Sequence, residues 1–257
     1  MRAFWDEFDP LFEALKSRKF EKYFEGKKNR TAKVVVYTAV SGNYDKIRDH
    51  KYIVPEWDYV CFSDEKPSDV THWEYRPIDK HGLTDSNRIA KYYKLLPHRI
   101  FPEYDYSLWI DGSCAIVDPS FHHAFDLFSH DPKSKIALAP HPSRDCAYEE
   151  AWECIHQKKD EEFRILQWLD IMEKGKYPRH NGLYECGLML RRHNDPMVIA
   201  LMDAWWRVVQ EYSKRDQMSF VYLAWKLGVP VSTIFGNSSE TIRNSKRVAL
   251  YNHLNEI

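Results

Sequence analysis

Apolar and polar positions along the chain alternate between two periods. Lys33 to Val40 is a nearly continuous apolar run of the kind that forms a strand buried on both faces. Ser41-Gly42-Asn43-Tyr44-Asp45 breaks it with turn residues. Tyr59–Asp64 and Trp73–Ile78 predict two further strands. Asp85 to Leu96 predicts a helix with Asp85 or Ser86 as cap, ended by Pro97. It brings Arg88, Lys91 and Lys94 near one another at i, i+3 spacing. Tyr106 to Ser113 is an apolar strand running into an acid and a turn. Ile136–Ala139 and Leu183–Arg191 predict strands. Between them, Tyr148 to Lys174 predicts helix in two pieces stopped by Gly175. Asp195-Pro196 opens a helix to Tyr212, and Arg215–Leu227 forms another, closed by Gly228. Val231–Phe235 predicts a last strand. Strands alternate with helices, so the predicted class is α/β with a mostly parallel sheet. Ligands in such sheets bind at the carboxyl ends of the strands, where the acids and turns fall.

The first thirty residues are set apart. Phe8, Leu11, Phe12 and Leu15 follow Asp9-Pro10 at helical spacing, and Lys16 to Lys33 carries eight basic and two acidic residues. Residues 1–31 are expected to form an amphipathic helix and basic linker, and 32–257 the main domain. The helix suits docking on the domain, with peripheral contact to an anionic membrane as the alternative. No apolar stretch of about 18 residues occurs, and no signal-like h-region. The expected location is the cytoplasm, peripheral to the inner face of the membrane if that contact is made. The oligomeric state is not legible.

Composition narrows the function. The chain has 257 residues, is 44% hydrophobic, and has a net charge of −1, which suits a folded domain and argues against a nucleic-acid partner. Its five cysteines show no CxxC pair, which argues against a structural zinc site and for free thiols. The first strand lacks GxGxxG, which sets aside a dinucleotide-binding dehydrogenase. No dense His/Asp cluster marks a metal-dependent hydrolase.

The segment Leu108-Trp109-Ile110-Asp111-Gly112-Ser113 puts a carboxylate at the tip of a buried strand. Such a group needs a partner, which a metal ion, a ribose hydroxyl or the turn itself can supply. With Ser113 in the place of its second acid, the segment resembles the strand-Asp-x-Asp-strand signature of GT-A glycosyltransferases. Glu185-Cys186-Gly187-Leu188, Arg215-Asp216-Gln217 and a late His253 follow in the order that such enzymes show. The chain is also similar to a glycosyltransferase-like family long catalogued as a domain of unknown function, with plant turgor-regulation and seed-mucilage members. The matching segments are Tyr37–Asp45, Arg88–Lys91, Trp109–Ser113, His141-Pro142, Arg144 and Asp216-Gln217, spread over about residues 33 to 253.

The resemblance implies a single GT-A-like, Rossmann-type domain with a mixed, mostly parallel sheet flanked by helices. It implies transfer of a sugar from a nucleotide diphosphate sugar, uridine-linked on family grounds, to a glycan, glycolipid or polysaccharide acceptor. Thr38, Ala39, Val40 and Asp64 would meet base and ribose. Arg88 and Lys91 would meet the diphosphate, as would Lys94 if no ion is used. Asp111, Ser113 and His253 would hold Mn²⁺ or Mg²⁺. His141, Arg144 and Gln217 would border the sugar or the acceptor. Asp216 would act as general base, or it or Glu185 would stabilise charge on the sugar. Because a serine is a poor ion ligand, a non-catalytic glycan- or nucleotide-binding module stands as the alternative. Polysaccharide biosynthesis is the expected setting.

Overall fold

The structure, a computed structural model, describes residues 32–252. The expected N-terminal helix and His253 lie outside the described residues. A seven-stranded mixed sheet forms the centre, in the order β3-β2-β1-β4-β7-β6-β8. Its strands are β1 (Val34–Val40), β2 (Asp58–Ser63), β3 (Glu74–Pro77), β4 (Tyr106–Ile110), β6 (Ile136–Pro140), β7 (Tyr184–Arg191) and β8 (Val231–Thr233). β3, β2, β1 and β4 run parallel, β7 runs antiparallel between β4 and β6, and β8 is parallel to β6. This is the α/β architecture that the sequence predicts. The order turns back beside β1, with β2 on one flank and β4 on the other. A crevice opens at such a switch point, beyond the carboxyl ends of the strands.

Seven helices occur among the described residues: α1 (Ser86–Leu95), α2 (Pro97–Ile100), α3 (Ser120–His130), α4 (Ala147–His156), α5 (Glu162–Lys174), α6 (Pro196–Glu211) and α7 (Asp216–Leu227). One apolar layer joins the Tyr37, Ala39, Trp109 and Met189 face of the sheet to Trp168, Trp205, Phe220 and Tyr222 of the helices. The other packs Val36, Leu108 and Ile110 on Phe121, Phe125 and Phe128 of α3. No helix of the described residues is long and apolar enough to cross a membrane. All five cysteines are buried free thiols.

Three details depart from expectation. Pro97 ends α1 but opens α2, where its fixed φ and missing N–H suit a first helical position. α3 and a two-stranded ribbon of β5 (Cys114–Ile116) with β9 (Val248–Leu250) arise where no element is expected. Gly175 stops α5 without a left-handed turn, at φ −74°. Its reason is space, since a Cβ there would lie 2.3 Å from the Tyr222 hydroxyl.

Candidate active site

A cavity of about 380 Å³ sits at the ends of β1 and β4. Its floor is Ala39, Val40 and Asp111, one wall is α1, and the other is the start of α7 with Glu185–Gly187. The chain after β8 closes the remaining side with Ile242, Arg243, Tyr251 and Asn252.

α1 is placed by its cap. The Asp85 carboxylate accepts from the N–H groups of Asn87 (2.8 Å) and Arg88 (3.1 Å). At about 100° per residue, Asn87, Lys91 and Lys94 share the face turned to the cavity, while Arg88 points round the helix. The Arg88 guanidinium donates to the carbonyls of Val209 (2.9 Å) and Tyr212 (3.2 Å) and pairs with Asp85 at 3.1 Å. It caps the end of α6 and does not line the cavity, so the expected grouping of Arg88 with Lys91 does not form there. The Lys94 carbonyl accepts from Arg191 (2.7 Å) and Tyr37 (3.1 Å), and so anchors the end of α1 to the sheet.

Lys91 and Lys94 both reach Asp216, the first residue of α7, at 2.8 Å. Lys94 also lies 3.5 Å from Asp111. The result is a buried chain of alternating charge, Lys91–Asp216–Lys94–Asp111. The lysines beside Asp216 overcome its burial and hold its carboxyl well below the usual carboxylate range. Burial pushes Lys91 down despite Asp216, whereas Asp111 and Asp216 together hold Lys94 up. An Asp so firmly ionised is a weak proton acceptor, which weighs against the general-base role expected of it.

Glu185 is the opposite case. Burial raises its carboxyl above the ordinary value. It accepts from the Ile242 N–H at 2.8 Å and lies 3.5 Å from Arg243. It reaches the cavity through a local irregularity. Leu138 pairs with Met189, but its successor Ala139 pairs with Glu185, so Cys186–Leu188 have no partners on β6. Gly187 then approaches β4 closely, and its carbonyl accepts from the Asp111 N–H at 2.8 Å.

Asp111 Oδ1 accepts from the Trp109 indole at 2.6 Å and faces Lys94. Oδ2 faces Gly187, where a Cβ would come within 3.1 Å. The missing side chain leaves room at that oxygen. Hard divalent ions take oxygen ligands and often use one or two carboxylates plus substrate phosphates, so Asp111 fits such an ion. Ser113 fits less well. It lines the cavity but is nearly fully buried, its hydroxyl pairs with the Cys114 sulfur, and its carbonyl accepts from the Tyr251 N–H at 2.8 Å. Its place is to tie the last described residues to the site.

The other expected residues are spread. Ala39, Val40 and Gln217 line the cavity, and the Gln217 amide donates to the Tyr184 carbonyl at 3.3 Å. Thr38 is fully buried in β1 and does not line it. Asp64 lines two recesses beside the cavity and receives the Gly42 N–H at 2.6 Å. That bond holds the loop after β1, whose Gly42 sits at φ +71° against Ser86. His141 and Arg144 gather outside the cavity lining around buried Glu150, at 3.8 and 2.8 Å, and burial lowers the His141 pKa. Asp45 and Arg243 line the cavity without having been singled out. Asp45 closes the readable turn Ser41–Asp45, whereas Arg243 had no local signal, being 58 residues from Glu185 in sequence.

A family model described as TOD1/MUCI70, glycosyltransferase-like domain, matches residues 21–248. The chain belongs to that family. It is 27% identical over 213 residues to the probable hexosyltransferase MUCI70 of Arabidopsis thaliana, covering 73% of this chain and 36% of that protein. It therefore spans about a third of that relative's length. Two solved structures share its outline at 12% identity and a TM-score of 0.45. One is the apo form of mouse xyloside xylosyltransferase 1, matched over 84% of this chain and 96% of that one. The other is the galactosyltransferase LgtC in complex with donor and acceptor sugar analogs, matched over 85% of this chain and 86% of that one.

Proposed function

We propose that this member of the TOD1/MUCI70 family is a glycosyltransferase that moves a hexose or related sugar from a nucleoside diphosphate donor, uridine-linked, to a hydroxyl of a glycan or lipid-linked acceptor. The observation that carries the reading is the preformed Lys91–Asp216–Lys94–Asp111 chain at the mouth of β1 and β4. Phosphoryl transfer to water would use the same charges, but the family and the neutral, mixed lining favour a sugar donor.

In the reaction, the acceptor oxygen bonds to the anomeric carbon as the bond from that carbon to the diphosphate breaks. The leaving diphosphate gains charge, which the fixed ammonium groups and the Arg215 guanidinium stabilise without reorganising. Glu185 has the carboxyl with raised proton affinity in the cavity, which suits it to take the acceptor proton. Asp216 fixes the two lysines and offers its oxygens to the positive charge on the sugar. Asp111 would hold Mn²⁺ or Mg²⁺ through Oδ2. When bound, that ion neutralises the leaving diphosphate.

The test is thermal-shift binding against nucleoside diphosphates and their sugars, with Mn²⁺, Mg²⁺ or chelator. A ligand at about 100 times its dissociation constant stabilises the fold by about 2.7 kcal/mol. The reading expects one nucleotide to raise the melting temperature and to lose that effect in Lys94→Met. No shift with any nucleotide would overturn it and favour the binding-module alternative, for which Ser113, a weak ion ligand in the place of an acid, is the supporting feature.

A further inference from the structure

Among the described residues, one group of three His, Cys, Asp or Glu side chains brings its ligand atoms within 4.8 Å of one another: Cys146, Glu149 and His180. It lies apart from the cavity lining. Cys146 is the N-cap of α4, and Glu149 follows three residues later in its first turn. His180 comes from the loop between α5 and β7. Its Nε2 is 3.7 Å from the Glu149 carboxylate, and its Nδ1 bonds Asp145 at 2.7 Å.

We propose that Cys146, Glu149 and His180 form a zinc-class metal site, with Asp145 orienting the histidine. The chemistry matches on three counts. Thiolate, imidazole and carboxylate together select zinc over magnesium or manganese, which prefer oxygen ligands alone. Zinc bonds of about 2.0–2.3 Å bring tetrahedral ligand atoms to within about 4 Å of one another, close to the spacing already present. A carboxylate on the far nitrogen of a ligating histidine fixes the tautomer and aims the free lone pair at the ion, and Asp145 stands in that place. The three ligands leave the fourth position to water on the exposed side of Glu149 and His180.

Such an ion would staple the start of α4 to the chain entering β7. Leu183 in that chain accepts from the His141 N–H at 2.9 Å, and Glu185 follows two residues later. The site would thus brace the strand that carries Glu185 without touching substrate.

The experiment uses the full reduced chain, stripped with chelator and titrated with Co²⁺. Thiolate-to-cobalt absorption in the near ultraviolet is expected to saturate at a single equivalent and to be displaced by Zn²⁺. It is expected to vanish in Cys146→Ser and His180→Ala and to persist in Asp111→Asn, which reports only on the cavity. His180 is exposed, so His180→Ala keeps the test informative should Cys146→Ser fold poorly. Zn²⁺ is also expected to raise the melting temperature of the parent chain and not of His180→Ala. Absence of a thiolate band, or a band that survives His180→Ala, overturns the proposal.

Discussion

Asp216→Asn removes the charge that two buried lysines share. Each Nζ lies 2.8 Å from the same carboxylate oxygen, so each contact carries about 6 kcal/mol of attraction at an effective dielectric of about 20. Desolvation of the ions offsets most of that, and removing one partner of a buried pair costs about 3–5 kcal/mol. The two lysines respond differently. Lys94 keeps Asp111 at 3.5 Å, while Lys91 has no other salt-bridge carboxylate among the described residues. The lost stability therefore falls mainly on Lys91, which burial already pushes toward neutrality. Urea unfolding at neutral pH is expected to show Asp216→Asn destabilised by about 3–5 kcal/mol. Adding Lys91→Met restores the balance of one Lys to one Asp and is expected to recover half of the loss or more, a coupling that the double-mutant cycle reads directly. The pH dependence has a definite sign. Asp216 titrates below its unfolded value of 3.8, so its contribution is complete above that pH and is lost as pH falls further. The parent is expected to lose stability more steeply than Asp216→Asn below that point. A single variant within about 1 kcal/mol of the parent, or a double variant no better than the single, would refute the argument.

Glu185→Gln keeps an oxygen for the Ile242 N–H but cannot take a proton, so turnover is expected to fall about 10²–10⁴-fold. The folded carboxyl of Glu185 titrates above its unfolded value of 4.5, so the parent loses stability as pH rises through that interval, and this variant is expected to lack that loss in urea melts at stepped pH. Gly187→Ala places a Cβ 3.1 Å from Asp111 Oδ2 and 3.4 Å from Ile242, which is expected to weaken ion-dependent nucleotide binding in a thermal-shift titration while leaving the fold intact. Gly175→Ala meets the Tyr222 hydroxyl at 2.3 Å and is expected to cost about 1–3 kcal/mol by urea unfolding, with Tyr222→Phe recovering part of it.

Much of the sheet was legible because its strands are long apolar runs and its helices carry caps. Asp85, Asp195 and Gly228 stand at the ends that the sequence marks, with Gly228 at φ +64°. The ribbon of β5 and β9 was not legible, since each strand has three residues and their pairing joins positions over 130 apart. α3 is different. Phe121, Ala124, Phe125 and Phe128 recur at helical spacing, and Asp118-Pro119 precedes them as Asp195-Pro196 precedes α6, with the Asp118 carboxylate accepting from the Ser120 N–H at 2.9 Å, so the signals of this helix are in the sequence although no element is expected there. In the site, the order Asp111, Glu185, Asp216 could be read along the chain. The partner of each side chain could not. Arg88 and Lys91 look alike on paper, but three residues along α1 turn the side chain by about 60°, which sends the first to the carbonyls at the end of α6 and the second to Asp216.

The charges of the cavity constrain how a donor binds there. Its lining carries four basic side chains, Lys91, Lys94, Arg215 and Arg243, and four acidic ones, Asp45, Asp111, Glu185 and Asp216. With every acid ionised the lining is neutral, so a diphosphate brings negative charge that the resident groups do not cancel. The lysines are held by Asp216 and cannot move to the phosphates without exposing that carboxylate in a buried place. On the proposed function, donor binding is then expected to be accompanied by uptake of positive charge. Asp111 Oδ2 would take an ion on that reading, and burial raises the proton affinity of Glu185. The two routes separate in one titration. If the ion supplies the charge, nucleotide affinity rises with Mn²⁺ concentration and changes little with pH. If Glu185 supplies it, affinity falls as pH rises and Glu185→Gln removes that slope. Affinity that depends on neither would mean that the resident cations, Lys91, Lys94, Arg215 and Arg243, meet the diphosphate unaided.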